Sequence, residues 1–423
     1  MTEISKKPLN SSKQENKMLR CLVVHNRYLI QGGEDIVVQS EIDMLRKNRH
    51  SVKLIEADNQ SLTSPLAKLK TALNIAHSAE SKKMLSHEIL NFKPDIVHVH
   101  NFFPMLTPSI YDACIEAKVP VIQTLHNFRL ICPGALLMRD GNICETCITK
   151  SPYNAVLHGC YRNSKIQSIP VARMVSHHRS KNTWKNKVTR FIALSRFSKS
   201  KFIEAGFPSE KISIKSNFAE DINNIENSSN LNIQSLHKKD LINGYALYVG
   251  RLSAEKGIST LLNAWKDIDT TLKIVGHGPL SSLLNNQQPN VEYIGSLSKH
   301  DVLKKMLDAK FLVMPSECFE SFPLVIVEAF AQGIPVIASR MGAMAEIIDD
   351  GHTGLLFEPG NPTDIKKKVL RMANNPQELK RMGENAKQAY LDKFTAETNY
   401  KNLMSIYEEA IGSYKSAPRE NKN

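Results

Sequence analysis

Glu320 and Glu328 bracket the stretch Glu320-Ser321-Phe322-Pro323-Leu324-Val325-Ile326-Val327-Glu328. The first carboxylate stands just ahead of an expected helix start, and the second lies inside that helix. Ser321 can cap it. Pro323 suits a first helical turn, where a missing N–H has no intrahelical partner to lose. The free N–H groups of such an end attract phosphate, and a carboxylate on either flank accepts hydrogen bonds from hydroxyls. A diphosphate with a sugar at each end, a nucleotide-sugar, fits this pattern.

Other residues could serve the same chemistry. Arg251 and Lys256 lie in Val249-Gly250-Arg251-Leu252-Ser253-Ala254-Glu255-Lys256-Gly257, an expected strand-to-helix loop. Two cations there can neutralise a leaving diphosphate. The spacing is not that of a Walker loop, and no Gly-x-Gly-x-x-Gly occurs. Gly32-Gly33 would let a ligand approach the backbone closely. His126, after the expected strand ending at Thr124, can donate to a sugar hydroxyl or carbonyl. Taken singly, these are equally two surface cations, a turn and a packed histidine.

The elements that would hold them alternate strand and helix, the signature of parallel α/β sheets. Strands are expected at 20–25, 52–55, 95–100, 119–124 and 191–195, with a helix over 34–49. Residues 220–242, rich in Asn and Ser, read as a linker. A second series has strands at 245–250, 272–276, 311–314 and 335–338, then helices at 377–391 and 397–411. In open α/β sheets ligands sit beyond the carboxyl ends of strands, which is where the residues above fall. The expected architecture is two Rossmann-like domains facing across a cleft.

A chain of 423 residues is long enough for two such cores. No apolar run is long enough to span a bilayer, and the first twenty residues lack a secretory core. A cytoplasmic protein is expected, with 1–17 and the tail from Ser413 disordered. The net charge of +13 is concentrated: no acid lies between Glu145 and Glu204, an interval holding twelve Lys and Arg residues. Such a segment suits an anionic membrane leaflet or an anionic acceptor, or is simply a solvated basic face. Nucleic acid is not expected, because stacking platforms need exposed aromatics among the cations; Tyr161 and Trp184 are the candidates for exposure.

Together these stretches resemble the retaining GT-B glycosyltransferases, family four (glycosyl transferases group 1), of the bacterial surface-polysaccharide type. The resemblance runs from about residue 20 to 410. It is carried by Val249-Gly250-Arg251-Leu252 with Lys256-Gly257, Ile274-Val275-Gly276-His277-Gly278-Pro279, Met314-Pro315-Ser316, Glu320 to Glu328, Ala329 to Ser339, and Gly351-His352-Thr353-Gly354-Leu355-Leu356-Phe357. Gly32-Gly33, His126 and Ala193-Leu194-Ser195 match more loosely. The resemblance implies a GT-B fold and retaining transfer from a nucleotide-sugar to a glycan or lipid-linked acceptor at the inner face of the plasma membrane. His126, Arg251, Lys256 and Glu320 would serve catalysis. Gly33, Arg251, Lys256, Gly276, Ser321, Phe322, Pro323, Leu324 and Glu328 would bind the donor, with Glu328 on the ribose. Transfer would be a front-face substitution in which the leaving diphosphate helps deprotonate the acceptor, with no catalytic cofactor. The expected domains are 18–219 for the acceptor and 243–393 for the donor, with 394–412 a helix crossing back onto the first domain.

Four of the seven cysteines, Cys132, Cys144, Cys147 and Cys160, fall within an insert at 130–165. Cys144 and Cys147 form a C-x-x-C, with eleven residues separating it from Cys132 and twelve from Cys160. Such spacing could close a structural zinc site around a tight turn at Arg139-Asp140-Gly141; four reduced thiols are the competing reading. Two functional alternatives also stand: a sugar-nucleotide epimerase or hydrolase of the same architecture, and a catalytically silent binding relative.

Overall fold

The computed structural model describes residues 17–28, 32–59, 64–220, 244–285 and 288–416. The expected arm, except Lys17, and the expected linker, except Glu220, lie outside them.

Two six-stranded parallel sheets form the frame. The first contains β1 (Arg20–Arg27), β2 (Ser51–Asp58), β3 (Ile96–Val99), β4 (Val121–Leu125), β7 (Arg190–Ala193) and β8 (Ile212–Ile214), in the order β2-β1-β3-β4-β7-β8. The second contains β9 (Tyr245–Val249), β10 (Leu272–Val275), β11 (Val291–Gly295), β12 (Ala309–Met314), β13 (Val336–Ser339) and β14 (Gly354–Phe357), in the order β11-β10-β9-β12-β13-β14. Between β4 and β7 stands a hairpin of β5 (Met138–Arg139) and β6 (Asn142–Ile143). Its turn uses Asp140 and Gly141 with φ of 51° and 77°, the left-handed pair that a two-residue hairpin favours.

The central strands are apolar almost throughout because helices cover both faces of each sheet. β3, β4, β13 and β14 are buried along their whole length. Each strand order reverses once, between β1 and β3 in the first sheet and between β9 and β12 in the second. Crevices open at such reversals.

The last helix, Ala396–Ser416, leaves the second domain and packs on the first. Leu403, Tyr407 and Ala410 join Leu19, Cys21, Leu45, Ile96 and Ile192 in one apolar cluster. It runs past Ser413, where disorder was expected, to Ser416, because Ala410 and Ile411 pack its last turns into that cluster. Trp184, expected at the surface, is 5% exposed. It stacks on Phe102 and Phe207, a core position hidden by its polar neighbours in sequence.

Candidate active site

The second domain supplies most of the site. After β9 the chain runs through Gly250 and Arg251 into a tight turn, Ala254–Lys256, and then the Ile258–Trp265 helix. This path requires glycine at two points. A Cβ on Gly257 would lie 1.9 Å from the Pro315 carbonyl oxygen, and one on Gly276 would lie 1.9 Å from that of Gly250. Gly276 is therefore explained by the close approach of two strand-end loops, whatever else it touches.

Lys256 and Glu320, 64 residues apart, meet at 2.5 Å. Ser316 holds the same Glu320 oxygen at 2.8 Å, so the loops after β9 and β12 converge at the strand reversal. Burial pulls the Lys256 ammonium down, but the facing Glu320 carboxylate outweighs it and leaves its pKa raised. Arg251 is exposed in the same loop, with no carboxylate partner among the described residues.

The Leu324–Ala331 helix begins with Pro323 as its N-cap, and no side chain caps it. Ser321, expected to cap, instead points its carbonyl at the Ser195 hydroxyl of the first domain, 3.2 Å away. The helix end thus keeps the unsatisfied N–H groups that attract anions. The Phe322 ring turns inward and packs near Phe394, leaving its backbone at the helix mouth. Glu328, on the same helix, is 8% exposed. Burial raises its pKa, only partly offset by Lys299.

The first domain holds the remaining candidates. His126 follows β4 and is half-buried. Its Nε2 lies 2.9 Å from His100 Nδ1, with the rings stacked at 5.2 Å. Burial, then the neighbouring His100, drives its pKa well below the usual imidazole range, so it is neutral at physiological pH. A small cavity beside it is lined by His100, Phe103, Asn127 and Arg129. Gly33 opens the Gly33–Lys47 helix; a Cβ there would meet nothing within 4 Å.

Several residues here carried no role in the sequence reading. Glu34 sits next to Gly33, and its Oε2 takes hydrogen bonds from Tyr28 at 2.9 Å and Asn127 at 3.4 Å. Burial pushes its carboxyl up to about 8 against those bonds, and its Oε1 is buried with no partner. Glu346, from the second domain, accepts the backbone N–H groups of Arg196 and Phe197, both at 3.0 Å. That is the start of the Arg196–Glu204 helix of the first domain, so a carboxylate sits on a positive helix end across the interface. Phe197 and Phe319 pack beside it at 4.6 Å. Only Glu34 had a local signal, its adjacency to the glycine pair.

The cysteine insert and the basic interval also take shape. Burial pushes the Cys147 thiol up to about 12, and Cys132, Cys160 and Cys144 add to the effect. Cys132 Sγ and Cys160 Cβ lie 3.7 and 3.5 Å from where a Cβ on Gly134 would stand, and all four are free thiols. Among the described residues, the one potential ligand trio with donor atoms within 4.8 Å of one another is Glu41, His98 and His100; no three of the four sulfurs reach that spacing. The basic interval is less bare than its sequence implies. Lys201 pairs with Glu145 and Glu204, Lys187 with Asp112, Arg190 with Glu409, and Arg196 with Glu346. No described helix is long and apolar enough to cross a membrane.

Residues 31–220 match the family described as Glycosyltransferase Family 4, and residues 232–389 match Glycosyl transferases group 1. An uncharacterized glycosyltransferase of Methanocaldococcus jannaschii is 36% identical over 195 residues, 44% of this chain and 55% of that protein. The D-rhamnosyltransferase WbpZ of Pseudomonas aeruginosa is 31% identical over 159 residues, covering 36% of this chain and 42% of that protein. The aligned part thus spans about half the length of these curated relatives. Among solved structures, a glycosyltransferase from Rickettsia africae superposes with a TM-score of 0.65 at 17% identity, covering 93% of this chain and 99% of that one. Anabaena Alr3699/HepE in complex with UDP-glucose gives 0.61 at 18%, covering 92% and 99%. At such identity the likeness concerns the fold, which is GT-B.

Proposed function

We propose that this chain, a Glycosyltransferase Family 4 domain followed by a glycosyl transferases group 1 domain, moves a sugar from a nucleotide-diphosphate donor to a glycan or lipid-linked hydroxyl with retention of configuration. The route it serves is cell-surface polysaccharide synthesis. The observation that carries this reading is the Lys256–Glu320 pair at the strand reversal, beside a helix end with no side-chain cap. Solved relatives of this fold hold UDP and UDP-glucose.

In this reading the diphosphate lies at the mouth of the Leu324–Ala331 helix. Arg251 and Lys256 balance the charge that grows on it as the glycosidic bond breaks. Glu320 orients Lys256 and accepts from donor-sugar hydroxyls. Glu328 accepts from the ribose, a task for its ionised form. Neutral His126 gives its one N–H to His100, so its other ring nitrogen accepts from a donor-sugar hydroxyl, and the open space over Gly33 admits donor and acceptor. The acceptor hydroxyl attacks on the face the diphosphate leaves, and its proton passes to a departing phosphate oxygen. No protein nucleophile is needed, and no cofactor enters the chemistry.

The test is a thermal-shift panel of nucleotide-sugars, followed by product analysis with and without acceptor. A single donor should raise the melting temperature, and its nucleoside diphosphate should be released chiefly when acceptor is present. Rapid release without acceptor would favour a hydrolase or epimerase.

The four thiols of the insert form, in the same reading, a structural zinc site. The short hairpin within the insert and the nearness of Cys132 to Cys160 support it. A tetrahedral ion with Zn–S near 2.3 Å needs the sulfurs drawn closer together. Elemental analysis of purified protein should find one zinc per chain, and four titratable thiols without zinc would remove the idea. The enzyme would work in the cytoplasm, peripheral at the inner face of the plasma membrane.

A further inference from the structure

The Pro65–Asn74 helix buries none of its residues. Leu66, Leu69 and Leu73 recur at helical spacing on one face and are 76%, 56% and 61% exposed. The Lys165–Ser180 helix packs against it and repeats the pattern with Ile166, Ile169 and Arg173. The two isoleucines are 79% and 47% exposed. The Arg173 guanidinium reaches the Leu73 carbonyl at 3.5 Å, which joins the two stripes end to end. Five exposed large apolar side chains, together an apolar ridge, thus lie on two helices that pack on each other. Isolated exposed leucines need no explanation, but a continuous apolar strip marks an interaction surface.

The charges around the ridge identify what covers it. Lys68, Arg162, Lys165 and Arg173 are exposed beside it. The Pro65–Asn74 helix has no acid, and none occurs from 146 to 203. Lys70 is paired with Glu80. An apolar stripe flanked by cations matches an anionic lipid leaflet, which offers acyl chains below and negative headgroups above. A second copy of the chain would set cation against cation across a symmetric interface.

We propose that Leu66, Leu69, Leu73, Ile166 and Ile169 dip into the surface of an anionic bilayer, with Lys68, Arg162, Lys165 and Arg173 at headgroup level. This deepens the peripheral-membrane part of the reading above, moving the anchor from the basic interval as a whole to two helix faces. Its test needs neither donor nor acceptor, so it fails or stands apart from the transfer chemistry.

The full chain is sedimented with vesicles of phosphatidylcholine alone or of phosphatidylcholine with phosphatidylglycerol. Partitioning is expected onto the anionic vesicles and should fall with added salt. The triple variant Leu66→Ser, Leu69→Ser, Leu73→Ser should lower it by more than about tenfold, since three apolar side chains that would enter the leaflet are lost. Its unfolding midpoint should stay close to the parent's, because none of the three side chains is buried in the core. Equal partitioning of parent and triple variant would overturn the proposal, as would failure of the parent to bind anionic vesicles. A dimer in light scattering that the triple variant dissolves would assign the ridge to a second copy instead and overturn it as well.

Discussion

Lys215 places its ammonium 2.8 Å from Glu41 Oε2, in the interior of the first domain and 174 residues away in sequence. Asn399, on the last helix, takes a second bond from the same ammonium at 3.1 Å. The other Glu41 oxygen lies 3.2 Å from His98 and 3.4 Å from His100. His98 meets the Tyr407 hydroxyl of the last helix at 2.8 Å, and His100 meets His126. One buried carboxylate thus joins the crossing helix, through His100, to His126. Removing one member of a buried pair leaves the other charged and unpaired. Lys215→Met should lower stability by about 3–5 kcal/mol in urea unfolding, and adding Glu41→Gln should recover part of the loss.

The same network fixes how the protein responds to acid. Burial, and then His98, lower His100 to about 3. Between that value and the ordinary imidazole pKa, the unfolded chain binds a proton that the folded chain refuses, so stability falls as pH falls. Glu41 acts in the same direction at lower pH. Burial raises its pKa, but Lys215 and the histidine bonds win and hold it well below the carboxylate range. Its contribution is complete above the unfolded carboxylate pKa and is lost below it. Stability should decline from about pH 6.5 downward, by up to about 1.4 kcal/mol per pH unit for each such group. His100→Asn should flatten the upper part of that slope in denaturation midpoints measured against pH.

Lys256 and Glu320 test the proposed diphosphate site. Lys256→Ala and Arg251→Ala should each lower turnover by about 100-fold or more while leaving circular dichroism unchanged. Glu320→Gln should show a smaller loss, because Lys256 keeps a hydrogen-bond acceptor there. If transfer survived both cation changes, the diphosphate would have to lie elsewhere.

Glu328 makes donor affinity depend on pH. Burial raises its pKa, and hydroxyls are accepted by the carboxylate rather than the acid. Donor binding should therefore weaken as pH is lowered toward that raised value. Calorimetric titration should find this dependence in the parent and not in Glu328→Gln, whose affinity should be weak at every pH.

Gly33 and Gly276 separate ligand space from packing. Gly276→Ala sets a methyl against the Gly250 carbonyl in a backbone with φ of 139°. The variant should lose several kcal/mol, on the order of 3 or more, and fold poorly. Gly33→Ala meets open space and should keep the parent's melting temperature while impairing transfer. Equal melting losses for both would remove the distinction.

The sequence determined the two α/β halves, because buried parallel strands are apolar runs and their helices have a 3.6-residue period, both local patterns. It also marked the strand-end loops and the helix after Glu320, since glycine, proline and charge at such ends have local physical reasons. It did not reveal β8, β11 or β14. The first two are short edge strands with polar or half-exposed residues, and β14 was legible only as part of a motif. The Ser321 capping role failed because the helix begins at Leu324 with Pro323 at the cap, two residues further on. Tertiary structure alone decided that Lys256 meets Glu320, that Glu346 rests on a helix end of the other domain, and that Glu41 ties Lys215 to two histidines. Those pairings join residues dozens to hundreds of positions apart, and no periodicity in a chain records which distant partner a buried charge will need.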